Sequence, residues 1–212
     1  MLLLLLIPVQ LFAQRDKEFQ IRAGFGFAGY GTTTELIFTA FNPNLVLQDE
    51  DGAATVHMPL EFRYELSERW NLGLDLKWGS YLYDPDSSEG KSNRFFAIGA
   101  AGEYNFKTNE KFRWYGGFGI NVAFLELEES FEFAGAPVLE IARYNGPGLR
   151  FNTGVLIFIS NTFGLNFNLG YDRHNFTLKE LVVNGQAQDL DFFKATLDVK
   201  GVDGTIGMVF RM

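Results

Sequence analysis

The stretch Thr55–Leu66, TVHMPLEFRYEL, decides how the rest of the chain is read. Val56, Met58, Leu60, Phe62, Tyr64 and Leu66 fall at every second position, and His57, Glu61, Arg63 and Glu65 fall between them. Successive side chains of an extended strand point to opposite sides, so this segment is a strand with one apolar and one ionic face. The same two-residue period recurs over Glu18–Gly31, Trp70–Gly79, Phe95–Phe106, Phe112–Leu125, Leu149–Ser160, Gly164–His174 and Lys200–Met212. Short links at Ser67-Glu68-Arg69, KTNEK and Asn161-Thr162 take turns with long ones. The last long link holds Asn184-Gly185, a type I′ hairpin signal, which predicts that the seventh and eighth strands project as a hairpin capped there.

The bulk composition agrees with an all-β chain. Its 212 residues include 23 Phe and 23 Gly but only 6 Pro and 4 Met, a balance of aromatics and glycine over helix formers. Cysteine is absent, which excludes disulfides, cysteine-bound zinc and thiol chemistry. The net charge is −8, with acids gathered in the expected loops (Asp49-Glu50-Asp51, Asp84, Asp86, Glu89, Glu128-Glu129, Asp189, Asp191), which argues against nucleic acid as a partner. The N-terminal MLLLLLIPVQLFAQ reads as a secretory signal peptide over residues 1–14, cleaved beside Ala13 or Gln14. Its run Leu2–Val9 is too short to cross a bilayer as a helix. Residues 15–212 are then left as a single β-barrel domain.

Eight strands, alternating short and long links, and both termini on one side describe an antiparallel up-and-down transmembrane barrel. A soluble lipocalin-like barrel, apolar inside, alternates equally well. Three features select the membrane form. Trp70 and Trp78 share the apolar face eight residues apart, roughly 20 Å along the membrane normal at the usual rise and tilt, which suits two aromatic girdles. Phe106, Phe112, Trp114 and Phe163 mark the same rim as Trp70. The polar face mixes charges with glycines such as Gly24, Gly26, Gly73, Gly99 and Gly119, giving bulky ionic side chains room in a narrow lumen. The sequence also ends with its last strand, so no trailing helix is expected to cover a soluble barrel.

That last strand ends in GTIGMVFRM, with Ile206, Met208, Phe210 and Met212 at alternate positions. It resembles the carboxy-terminal assembly signal of bacterial outer-membrane proteins, with Met212 where an aromatic residue is usual. Together with the signal peptide and eight strands, the chain resembles the small OmpA/OmpX-like outer membrane β-barrel (porin-family) proteins. The resemblance implies outer-membrane lipid and lipopolysaccharide as surroundings and the barrel-assembly machinery as a partner. It calls for no cofactor or metal. No peptidoglycan-binding domain follows, so cell-wall anchoring is not implied.

The inward charges carry the candidate chemistry. If the Ser67 turn pairs residues whose numbers sum to 138, Arg63 faces Asp75 and Glu61 faces Lys77; Arg150 with Asp172 and Glu103 with Arg113 form similar links. A polar plug that fixes register is expected, because unpartnered charges in a narrow lumen are costly. A narrow channel for small ions or apolar solutes is the other reading. Leu156 and Phe158 of VLIFI are expected to fill the lumen near its periplasmic end, and Pro59 to leave a missing ladder bond or a bulge in the second strand. Gly24–Gly29 matches GxGxxG by letter, but no helix follows for a nucleotide. The Asp84–Gly90 loop only begins like a calcium loop. A hydrolase would need a serine near His57 or His174; Ser80, Ser88 and Ser92 are the candidates, and no motif selects one. Both histidines are read as rim residues. The expected protein is therefore a monomeric, non-enzymatic barrel with a structural or surface-interaction role.

Overall fold

The two-residue alternation runs further along the chain than the eight stretches above, and the strands are correspondingly long. The computed structural model describes residues 18–39, 45–83, 93–109, 111–133 and 136–212. The strands are β1 (Phe19–Phe38), β2 (Leu45–Ser67), β3 (Trp70–Tyr83), β4 (Asn93–Thr108), β5 (Phe112–Phe133), β6 (Ala136–Phe158), β7 (Phe163–Val183), β8 (Gln186–Ala187) and β9 (Phe193–Arg211). The expected signal peptide and the Asp84–Gly90 loop lie outside the described residues.

Each strand pairs antiparallel with its chain neighbour, and β6–β7, β7–β9 and β9–β1 complete a ring of eight. Opposed residues can be followed once around it. From Gln20 the path passes Arg63, Gly73, Ala101, Gly119, Arg150, Asp172 and Gly201, and returns to β1 at Tyr30, ten residues above its start. A stagger of that size in eight strands goes with a tilt of roughly 35–45°. Pro59 has no N–H to give β1, and the β1–β2 pairing is interrupted between Ala23–Leu60 and Gly26–His57 without a change of register.

Most of the segments expected as long loops are strand. The β5–β6 ladder continues to Phe133–Ala136, and β1–β2 to Phe38–Leu45. Asn184 (φ 50°) and Gly185 (φ 79°) both take the positive φ that a type I′ turn needs, and they cap β7 against β8 as the sequence predicts. The return arm is only two residues long; the chain leaves β7 and rejoins it as β9 from Thr196 downward. The described part of β3 runs to Tyr83 and that of β4 from Asn93.

The phase of the alternation reverses partway up the wall. On β7 the outward residues Leu165, Phe167, Leu169 and Tyr171 give way to Arg173, Asn175 and Thr177. Over the same span the buried side changes from Asn166, Asn168 and Asp172 to Phe176 and Leu178. On β9, outward Val202 and Ile206 are succeeded by Lys200, Asp198 and Thr196, and inward Asp203 and Thr205 by Val199, Leu197 and Ala195. The barrel is thus greasy outside and ionic inside over its lower part, and the reverse over its outer part. The outer interior is a packed apolar core including Tyr30, Tyr81, Phe95, Leu125, Phe176 and Leu197.

At the outer end of the β5–β6 ladder, Glu129 stands directly opposite Glu140. Partial burial, and then the Glu129 charge, raise the Glu140 carboxyl above its ordinary value. A carboxyl raised in the folded state binds its proton more tightly there than in the unfolded chain. Its cost to the fold is therefore present above the raised value and is relieved as the pH falls through it. Glu129→Gln is expected to slow amide exchange at the β5–β6 tip at neutral pH, with the difference from the unmodified chain disappearing on acidification.

Candidate functional site

The lower interior is built from side chains that the inward parity of eight strands brings together, and it is arranged in tiers. At the bottom, Arg113 reaches Glu18 at 2.8 Å and Glu65 at 3.3 Å, and Arg211 reaches Glu18 at 2.9 Å. The guanidinium carbon of Arg211 lies 3.7 Å from the centre of the Phe158 ring. Phe158 packs with Leu156, Tyr115 and Val209, so the two-faced apolar run in β6 does fill the periplasmic end of the lumen.

Above this tier Glu103 is the acceptor for two guanidiniums. Arg22 donates to both of its oxygens at 2.9 Å, and Arg63 donates through Nε at 2.6 Å. Arg63 also forms an ion pair with Asp75. Glu61 is held more loosely, 3.4 to 3.6 Å from Arg63, Arg22 and Arg150. The Tyr115 hydroxyl donates to Asn166 at 2.9 Å and accepts from Asn168 at the same distance.

The third tier is centred on Lys77, which donates to Asp172 at 2.7 Å and Asp203 at 2.9 Å. Arg150 adds contacts to Asp203 at 3.3 Å and Asp172 at 3.7 Å. His57 Nε2 lies 3.0 Å from Asp203. A Cβ on Gly26 would overlap the His57 ring, so glycine there makes room for the histidine, whereas one on Gly73 would meet the Phe62 backbone oxygen first and the Arg63 side chain second. Between the second and third tiers Glu61, Asp75, Asn121, Arg150 and His174 border a cavity of about 20 Å³, the size of a single water site. His174 closes the ionic region from above, stacked on Phe176 and edge-on to Phe95.

Several sequence expectations need correction. The β2–β3 register sums to 136, because Ser67 pairs with Trp70 across a two-residue turn and Leu66 is then bulged between Glu65–Asn71 and Ser67–Trp70. Glu61 therefore faces Asp75, Lys77 faces Pro59, and Arg63 reaches Asp75 diagonally. Glu103 and Arg113 do not meet: Glu103 opposes Gly117, and Arg113 lies in the tier below. His57 and His174 are not rim residues but are enclosed, at 1% and 2% exposure. The strands continue so far beyond them that the expected rim lies at mid-height. Ser80 has the opposite parity from His57 on paired strands and faces outward; Ser88 and Ser92 lie outside the described residues. Asp203, Arg22, Arg211 and Tyr115 complete the tiers and were absent from the sequence pairing. Asp203 was findable, since Ile206, Met208 and Phe210 fix the phase of the last strand and place it inward.

Outside, Trp70, Phe106 and Trp114 are about half exposed and joined edge to edge through Tyr104, with ring centres 4.9 to 5.3 Å apart. Phe163 lies tilted against Phe210 with ring centres 5.4 Å apart, and Phe112 is partly covered. Trp78 opposes Phe96, which lies 6.1 Å from Phe124, on the upper margin. Ile206, Met208 and Phe210 face outward on β9, and Met212 exchanges backbone hydrogen bonds with Phe19.

Comparison with known proteins agrees with this architecture. OprG from Pseudomonas aeruginosa is similar over 92% of this chain and 95% of its own, at 16% identity and a TM-score of 0.61. Ail of Yersinia pestis covers 93% and 100% of the two chains at 14% identity and 0.46. The N-terminal barrel of Pseudomonas aeruginosa OprF covers 92% and 97% at 13% and 0.47. At such identities the likeness to OprG speaks for the fold alone. No curated protein sequence matches the chain. The profile of the family described as outer membrane protein beta-barrel domain matches residues 1–200. With its eight-stranded ring, apolar outer band and ionic interior, the chain belongs to that family and is a protein of the bacterial outer membrane.

Proposed function

We propose that this protein is a closed-lumen barrel, acting through its wall and its outer surface and not as a conduit. The observation that carries this reading is the double filling of the lumen. Ionic tiers occupy the part surrounded by lipid, and an apolar core sits directly above them. A solute would have to displace both. The charges of the lower layer are held by one another, and separating any of them leaves a partner uncompensated in a poorly hydrated space.

In this reading the signal peptide over residues 1–14 takes the chain to the periplasm and is cleaved beside Ala13 or Gln14. The alternating Ile206, Met208, Phe210 and Met212 then present the last strand to the barrel-assembly machinery. The mature protein is a monomer among outer-membrane lipid and lipopolysaccharide. It has no catalytic role: His57 is committed to Asp203, and Ser80 stands on the other side of the wall.

Planar-bilayer recording of the purified protein is expected to show no discrete openings; regular unitary steps would favour the narrow channel instead. Glu103→Ala is expected to lower unfolding stability by roughly 3–5 kcal/mol, the cost of stranding buried guanidiniums. Glu126→Ala, which removes a partner of the half-exposed Arg143, should cost no more than about 1 kcal/mol. Urea titration in detergent, read by heat-modifiable migration, checks both.

A further inference from the structure

The outer wall carries a crevice that the closed-lumen reading does not use. Among the described residues, the upper parts of β4, β5, β6 and β7 border a recess of about 510 Å³. Its floor combines outward Phe96 and Phe124 with inward Phe95, Leu125 and Tyr144. Phe96 and Phe124 are exposed and share the outward parity of Ile98, Ile120 and Val122 below them, so the floor is continuous with the lipid-facing band.

The rim of this recess is charged, and its charges are not equally engaged. Arg143 is held between Glu126 at 2.8 Å and Glu180 at 2.7 Å. Arg94 meets Glu126 only at 3.8 Å, and its side chain is 83% exposed. Lys179 is the extra residue of a bulge, since Tyr144 pairs with Leu178 and Arg143 with Glu180; it is thrust outward and exposed. Among the described residues that line it, three cations stand against two carboxylates, on a chain whose overall charge is −8.

We propose that this recess binds a multiply phosphorylated lipid of the outer leaflet, with one phosphate on Arg94, another on Lys179, and an acyl chain along Phe96 and Phe124. The occupant is an amphiphile because the cations stand directly above an apolar trough that opens to the bilayer. A free anion would use the rim and leave the trough exposed. A neutral lipid would use the trough and leave both cations unmatched. Arg143 acts as a strut, fixed by its two carboxylates, and a guanidinium and an ammonium remain for charge-assisted hydrogen bonds to phosphate oxygens. The site depends on the outer-membrane placement and not on the closed lumen, so channel activity would leave it standing.

The test uses the full-length mature protein in detergent micelles, with diphosphoryl lipid A, its dephosphorylated form and inorganic phosphate as probes, read by native mass spectrometry. The unmodified protein is expected to retain diphosphoryl lipid A about tenfold more strongly than the dephosphorylated form, and Arg94→Ala/Lys179→Ala to lose about the same factor. Arg173→Ala/Lys200→Ala, which removes outward cations on β7 and β9, should bind as the unmodified protein does. Heat-modifiable migration shows that each variant is folded. Equal retention by Arg94→Ala/Lys179→Ala overturns the proposal. So does equal retention of the dephosphorylated lipid, and so does binding of inorganic phosphate as strong as that of the lipid.

Discussion

A charge inside a ring of eight strands has little water to turn to, so it must find its partner among the other strands. That constraint organises the lower half of this protein. Lys77 on β3 is held by Asp172 on β7 and Asp203 on β9, across the lumen, and Glu103 on β4 gathers Arg22 from β1 and Arg63 from β2. The Lys77 contacts join strands from opposite arcs of the wall, so they depend on closure of the ring. Buried ionic groups of this kind add little net stability over an apolar filling, but they penalise any register in which one is left alone. Specifying the stagger of ten residues is where they act, together with the glycines that leave room for them.

The same economy explains the reversal of phase. Where the outside of the wall meets hydrocarbon, apolar residues face out and the interior is left to polar groups that satisfy one another. Where the outside meets water, the polar residues face out and the interior can hold an ordinary hydrophobic core. The exchange takes place within a few residues on β7 and β9, near Arg173 and Lys200. The outer part resembles a soluble barrel standing on a membrane barrel. Its packed apolar interior is a consequence of that change of solvent.

Much of this was legible in the sequence. The eight strands, the orientation of their faces, the Asn184-Gly185 cap, the break at Pro59 and the filling by Leu156 and Phe158 all follow from period-two patterning and turn chemistry. Strand length and pairing did not. Segments such as Ser130–Tyr144 look like loop because their apolar residues no longer continue the phase set below, although the alternation itself persists. Pairing failed at the turns, where the two-residue Glu68-Arg69 link and the bulged Leu66 each shift β2 against β3 by one residue and together move Glu61 from Lys77 to Asp75. Contacts across the lumen are set by the closure of the whole ring, and no pair of adjacent strands reveals them.

The change of solvent along one strand is the claim on which the rest stands, and site-directed spin labelling tests it. Nitroxides placed one at a time at Leu165, Phe167, Leu169, Tyr171, Arg173, Asn175 and Thr177 in bilayers should respond to oxygen up to Tyr171 and to a water-soluble nickel chelate from Arg173 onward. Oxygen access that continues undiminished through Asn175 and Thr177, with the nickel chelate excluded there, would contradict the account.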